Sequence, residues 1–279
     1  GIQGNQMSFP TAGGVAIDRD RALAKAIGES IERYCSAIYA TESLFYGSYL
    51  DFSDALHPNG FRLYLDNQFE QEDFPLVPFT ESSTIYWSSA IRLSTQKYIK
   101  IPSSLVYCPY LVDKEKGELR HFETISTGLA SHITFGRAAI NGILEVVERD
   151  AFMCFWMMQL NLPKVNLSSL NTRHLLAIEK HRKAGYSIDI RVLTSDAGIP
   201  TIILIMQGHT ISTVPLVLAS ATCLDPSDAI LKGLEELSLM ERFTHGRKAK
   251  LDPSQPVIEK EVISLFSHVD FWLNPKQEL

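Results

Sequence analysis

Apolar positions follow two periods along this chain, and the two periods divide it into elements. Leu23, Ile27, Ile31, Tyr34 and Ile38 fall on one stripe of a helix that Asp18 or Asp20 can cap and that runs to about residue 39. A buried stripe is expected there. A second helix is expected over about 135–159, with Ile143, Leu144, Val147 and Ala151 on its apolar faces. A third, over 170–184, carries many basic residues and reads as a solvated outer helix. Asp225 followed by Pro226 opens a fourth, whose core face is Ile230, Leu231, Leu234, Leu237 and Met240. Aromatic and β-branched residues mark strands over 85–93 and 97–110, limited by Pro102 and Pro109, and further strands over 187–194, 200–207 and 214–221. Residues 1–10 read as a loose lead-in and 11–14 as a flexible turn. Residues 41–78 look irregular, broken by His57-Pro58-Asn59-Gly60, with Glu70-Gln71-Glu72-Asp73 as a solvated acidic loop. Residues 113–117 read as a turn, and 256–279 as a short helix and a tail. The expected fold class is α+β, a single domain of mixed or antiparallel sheets covered by helices.

Composition narrows the function. The 279 residues, 45% hydrophobic and 21% charged, can bury a substantial core. A net charge of −6 removes the electrostatic case for nucleic acid as a main partner. Cys35, Cys108, Cys154 and Cys223 are widely spaced, which argues against a zinc site or a disulfide framework and for a reducing, cytoplasmic setting. Cys35 and Cys154 are expected to be core packing on their helices. No apolar run is long enough for a membrane helix, and no signal peptide is visible, so no membrane partner is expected.

The candidate chemistry lies in a repeated motif. Glu-x-x-Glu-Arg occurs as Glu29–Arg33 and again as Glu145–Arg149, each inside a predicted helix. Spacing of three sets both carboxylates on one helix face. Two such helices facing each other would gather four carboxylates, which repel by roughly 1 to 4 kcal/mol per pair unless a cation holds them. Mg²⁺, a hard ion with an affinity for phosphate, suits Glu29, Glu32, Glu145 and Glu148 as ligands. Glu29 and Glu32 could equally form a plain solvated face. Arg33 and Arg149 either contact phosphate or orient the adjacent carboxylates. Ser126, Thr127 and Gly128, on a loop leading into the second helix, either cradle phosphate or form a simple turn.

Three segments together resemble one family. Thr11-Ala12-Gly13-Gly14-Val15 precedes a helix reading Ala22-Leu23-Ala24-Lys25-Ala26-Ile27-Gly28-Glu29-Ser30-Ile31-Glu32-Arg33-Tyr34; Ser126-Thr127-Gly128-Leu129-Ala130 precedes Glu145–Phe152; and Asp225-Pro226 is followed by Ala229 and Glu236. The chain is similar in this to the YcaO superfamily, and within it to the cyclodehydratase D proteins (SagD-like) of azoline-forming peptide pathways. The resemblance covers about residues 9–273. It implies a YcaO-like ATP-binding fold over 1–279, lacking part of the family's C-terminal region. It also implies ATP and Mg²⁺ as cofactors, with phosphate passed to a peptide amide oxygen before a Cys, Ser or Thr of a precursor peptide closes an azoline ring. The implied nucleotide contacts are Lys25, Glu29, Glu32, Arg33, Ser126, Thr127, Gly128, Glu145, Glu148 and Arg149. Implied partners are the precursor peptide and a leader-binding E1-like or C-type protein, with a homodimer as an option. The chain departs from the family at Lys25, where several members carry Ser, and at His132, Thr134 and Arg137, where others carry Asn and Glu. Thioamide formation is the alternative chemistry, and a non-catalytic docking scaffold the alternative of another class.

Overall fold

The computed structural model describes residues 12–194, 196–210, 212–252, 257–258 and 265–273. The 1–10 lead-in, Thr11 and the tail beyond 273 lie outside them. Among the described residues, six α-helices and six strands run in the order α1 (Arg19–Ala37), β1 (Phe45–Gly47), α2 (Asp66–Phe69), β2 (Ile85–Arg92), β3 (Lys97–Pro102), α3 (Phe135–Met157), α4 (Thr172–Lys183), β4 (Tyr186–Thr194), β5 (Pro200–Gly208), β6 (Leu216–Thr222), α5 (Pro226–Lys248) and α6 (Leu265–Trp272). This is the α+β class expected, with both sheets antiparallel. The chain falls into two compact units, one of Gly1–Ile27 with His132–Leu279 and one of Gly28–Ser131, so the division falls inside α1.

In the first unit the sheet order is β4-β5-β6. Alternation along β6 sends Val217, Ala219 and Ala221 to one face, where the main core forms with Ile202, Leu204 and Met206 of β5 and Ile230, Leu234 and Leu237 of α5. Gly233 lets α5 lie directly on the sheet, since a Cβ there would sit 2.2 Å from Leu204 Cδ1. Asp225 caps α5 by accepting from the Ser227 and Asp228 amides, as the Asp-Pro pair predicts. Ser220, pointing the other way, reaches α3. Helix α4 buries His174, Ile178 and His181, half-buries Ala177 against the core and exposes the rest, so only one side of it is solvated. Residues 13–14 are not a loose turn: Gly14 packs so closely on α1 that a Cβ would sit 2.0 Å from the Ala22 carbonyl.

In the second unit β1-β2-β3 form the other sheet. Trp87 is fully buried, and its indole N–H donates to the Gly47 carbonyl at 2.9 Å. Glu118 is buried too, and accepts from the Tyr110 hydroxyl and from the Tyr86 and Asp113 amides. These donors satisfy a carboxylate that burial alone would make costly.

Other expectations fail as well: the strand expected over 97–110 ends at Pro102 and passes into a 3-10 turn at Ser103–Leu105. The stripe Leu23, Ile27, Ile31, Tyr34, Ile38 is more than half exposed at every position, and the buried residue of α1 is Ser36, bonded to the Arg33 and Cys108 carbonyls. Periodicity identifies an apolar face but not what lies against it. Cys35 is exposed rather than core-packed, and Cys154 is half-buried. Among the described residues no helix is long and apolar enough to cross a membrane.

Candidate functional site

Within the second unit, the Gly28–Ala37 part of α1 presents Glu29, Glu32 and Arg33 together. The Arg33 guanidinium lies 3.5 Å from Glu29 and 4.0 Å from Glu32, longer than charge-assisted hydrogen bonds. Its Nε–H is buried and has no acceptor among the described residues. An orphaned cationic donor is costly unless something anionic completes it. The chain just after the predicted phosphate loop touches the start of this stretch: Ser131 Oγ donates to the Gly28 carbonyl at 2.7 Å. Ser126–Leu129 is a tight turn, closed by the Leu129 amide on the Ser126 carbonyl at 3.0 Å, with Gly128 at a left-handed φ of 89°. Glycine is needed there because φ is positive. Glu29, Glu32, Arg33, Ser126, Thr127 and Gly128 thus belong to the same unit.

The second copy of the motif, on α3 of the first unit, is held differently. Glu148 is buried, with Oε1 accepting from Ser220 Oγ at 3.1 Å and Oε2 from the Thr222 amide and Lys232 Nζ at 3.0 Å each. Burial works against the Lys232 ammonium, but the charge and hydrogen bond of Glu148 outweigh it and raise the pKa above the ordinary lysine value. Glu145 lies 3.5 Å from Arg149, an exposed side chain one turn on. Helix α3 starts without a side-chain cap bond from Thr134.

Lys25 takes another course. Its Nζ donates to Glu235 Oε2 at 2.6 Å and to the Val15 carbonyl at 2.9 Å, and the Ile17 amide donates to Glu235 Oε1 at 3.2 Å. Glu235 is buried, not part of a solvated charged face. Lys232 and Glu235 are the residues that motif reading missed. The available signal was a lysine and a glutamate set among Leu231, Gly233, Leu234 and Leu237, where an unpaired charge would be excluded.

Within each unit, among the described residues, no three His, Cys, Asp or Glu side chains come together to hold an ion alone. Mg²⁺ keeps waters and is bound by one or two carboxylates together with substrate phosphates. Oxygen ligands beside an unsatisfied Arg33 donor fit a magnesium-bound phosphate.

A family model described as YcaO cyclodehydratase, ATP- and Mg²⁺-binding, matches residues 13–278. The chain belongs to the YcaO family. This YcaO chain is 26% identical, over 229 residues, to an uncharacterized protein of Methanothermobacter thermautotrophicus, covering 81% of this chain and 55% of that protein. A solved heterocyclase in complex with substrate and cofactor shares the fold at a TM-score of 0.76 and 23% identity, over 93% of this chain and 36% of that one. YcaO from Methanopyrus kandleri, bound with AMPPCP and Mg²⁺, matches at 0.64 and 20% identity, over 87% and 57%. The chain thus spans about half of its curated relative or less of its structural one.

Proposed function

We propose that this YcaO protein is an ATP- and Mg²⁺-dependent enzyme that activates a backbone amide of a precursor peptide and yields azoline rings from Cys, Ser or Thr. The observation that carries the reading is the buried, acceptorless Nε–H of Arg33 beside Glu29 and Glu32 and next to the Ser126–Ser131 loop. When bound, magnesium ATP supplies the phosphoryl group that turns an amide oxygen into a leaving group.

The chain's own residues bind and orient. Glu29, Glu32 and Glu145 offer hard oxygens to the metal. Glu148 serves the same nucleotide through a carboxylate fixed by Ser220, Thr222 and Lys232. Arg33 Nε and the turn at Ser126, Thr127 and Gly128 donate to phosphate oxygens, and Arg149 keeps Glu145 in place. Lys25 joins only by exchanging Glu235 for a phosphate oxygen. The enzyme needs no nucleophile, because the substrate side chain attacks the amide carbon; positioning and charge stabilisation are its contribution. A leader-binding E1-like or C-type protein would present the peptide. Four unpaired cysteines suit the cytoplasm.

Calorimetric titration with ATP tests the first step. Magnesium-dependent binding is expected, and Glu32→Gln and Glu145→Gln should each weaken it at least tenfold while leaving the melt unchanged. With peptide and partner, phosphate release and loss of one water mass from the peptide are expected. Oxygen-for-sulfur exchange would move the reading to thioamide chemistry. A folded wild type that neither binds nor consumes ATP would leave only the docking scaffold.

A further inference from the structure

The second unit contains a cavity of about 230 Å³ that no part of the nucleotide reading uses. We propose that it is a docking pocket for one aromatic side chain of a basic peptide segment. One wall is built by Phe61, Phe79 and Phe122, whose rings meet edge-on with centroids 5.1 to 6.3 Å apart. The other wall comes from the excursion around α2, where Tyr64 and Phe69 are braced by Phe74. Each ring cluster is packed within itself, and the gap lies between them. Aromatic rings pair edge-on or offset, so two aromatic walls on either side of an open cleft can receive a further ring. The volume is below the roughly 300 Å³ of small-molecule pockets, which suits a single side chain.

The surroundings select charge. His121 lines the cavity, and its Nδ1–H donates to the Val77 carbonyl at 3.1 Å. Burial pushes its pKa down, so the imidazole is neutral and adds no positive charge. At the mouth Arg62 pairs with Asp66 at 2.8 Å. Beyond it, Glu70, Glu72 and Asp73 are all exposed. One guanidinium stands against four carboxylates, so residues flanking the inserted ring are favoured when they are lysine or arginine. Tyrosine and phenylalanine faces also attract a nearby cation.

The inference rests on the peptide-substrate reading for its choice of ligand, but not on any nucleotide chemistry. Fluorescence anisotropy of labelled tripeptides Lys-Phe-Lys, Lys-Ala-Lys and Glu-Phe-Glu tests it on the full chain, with magnesium ATP affinity measured on the same samples. Lys-Phe-Lys should bind at least tenfold tighter than either control. Asn59→Trp, at an exposed lining residue, should fill the mouth and remove that preference. The double variant Glu72→Lys/Asp73→Lys changes only exposed side chains and should favour Glu-Phe-Glu instead. The proposal is overturned if Lys-Phe-Lys and Lys-Ala-Lys bind alike, if folded Asn59→Trp or the charge-reversed variant binds as wild type does, or if phenethylamine alone binds as well as the peptide. Nucleotide binding without peptide selectivity would overturn this inference alone; loss of both would remove the enzymatic reading as well.

Discussion

Glu29–Arg33 and Glu145–Arg149 have the same motif residues and opposite situations. In the second copy Glu148 is saturated, with a hydroxyl, an amide and an ammonium all donating to it. In the first copy Arg33 is only half-buried, its neighbouring carboxylates are 3.5 and 4.0 Å away, and its buried Nε–H has no acceptor among the described residues. One copy therefore doubles as a fastener between a helix and a sheet, while the other keeps a donor unsatisfied. A repeated motif can keep its residues and divide its duties.

The largest effect should separate the copies by stability. Glu148→Ala strands three donors, and with Lys232 partly exposed the cost should be roughly 2 to 3 kcal/mol. Glu32→Ala should cost less than about 1 kcal/mol. Urea melts of the two variants decide, and equal losses would break the comparison. Next comes nucleotide affinity. Arg33→Ala should weaken magnesium ATP binding by roughly ten- to a hundredfold, the worth of a charged hydrogen bond. Arg149→Ala, at an exposed side chain, should change it less than about threefold. Calorimetry giving the reverse order would exchange the roles of the copies.

Much of this contrast was invisible in the sequence, for a definite reason. Local signals served well. The Asp225-Pro226 cap, the α5 core face and the strands of the first unit stand close to where period and turn chemistry put them. What failed depended on distant partners. The exposed α1 stripe and the exposed Cys35 follow the right helical period and lack the expected covering. Lys232 is 84 residues from Glu148, and no spacing rule relates them. For the candidate site, the motif supplied the residues, and only coordinates distinguish a saturated carboxylate from an unsatisfied guanidinium.

Smaller effects should be shared by both units and thus sharpen the contrast as a control. Burial lowers the pKa of His121 in one unit and of His181 in the other, where Glu241 acts in the opposite sense. Below the ordinary histidine value the unfolded chain binds protons that the folded chain refuses, so stability should fall as pH drops from 7 toward 5. Thermal melts across that range should show it, and His121→Asn should remove part of the slope. At the alkaline end Lys232 acts with the other sign. Its raised pKa stabilises the fold up to the ordinary lysine value and the gain disappears above it. Lys232→Met should lack that limb in melts between about pH 9 and 11.

The pairing of Lys25 and the Ile17 amide with Glu235 of α5 sets a limit on protein engineering. Glu235 is buried beside Leu234 and Leu237, and two of its donors come from the stretch ahead of and within the first turns of α1. A truncation that removes residues through Ile17 strips one donor, and one that passes Lys25 leaves an uncompensated anion inside the hydrophobic interior. Affinity tags and cleavage sites therefore belong upstream of Gly13, because Ile17 and Lys25 hold Glu235, the latter across 210 residues of chain.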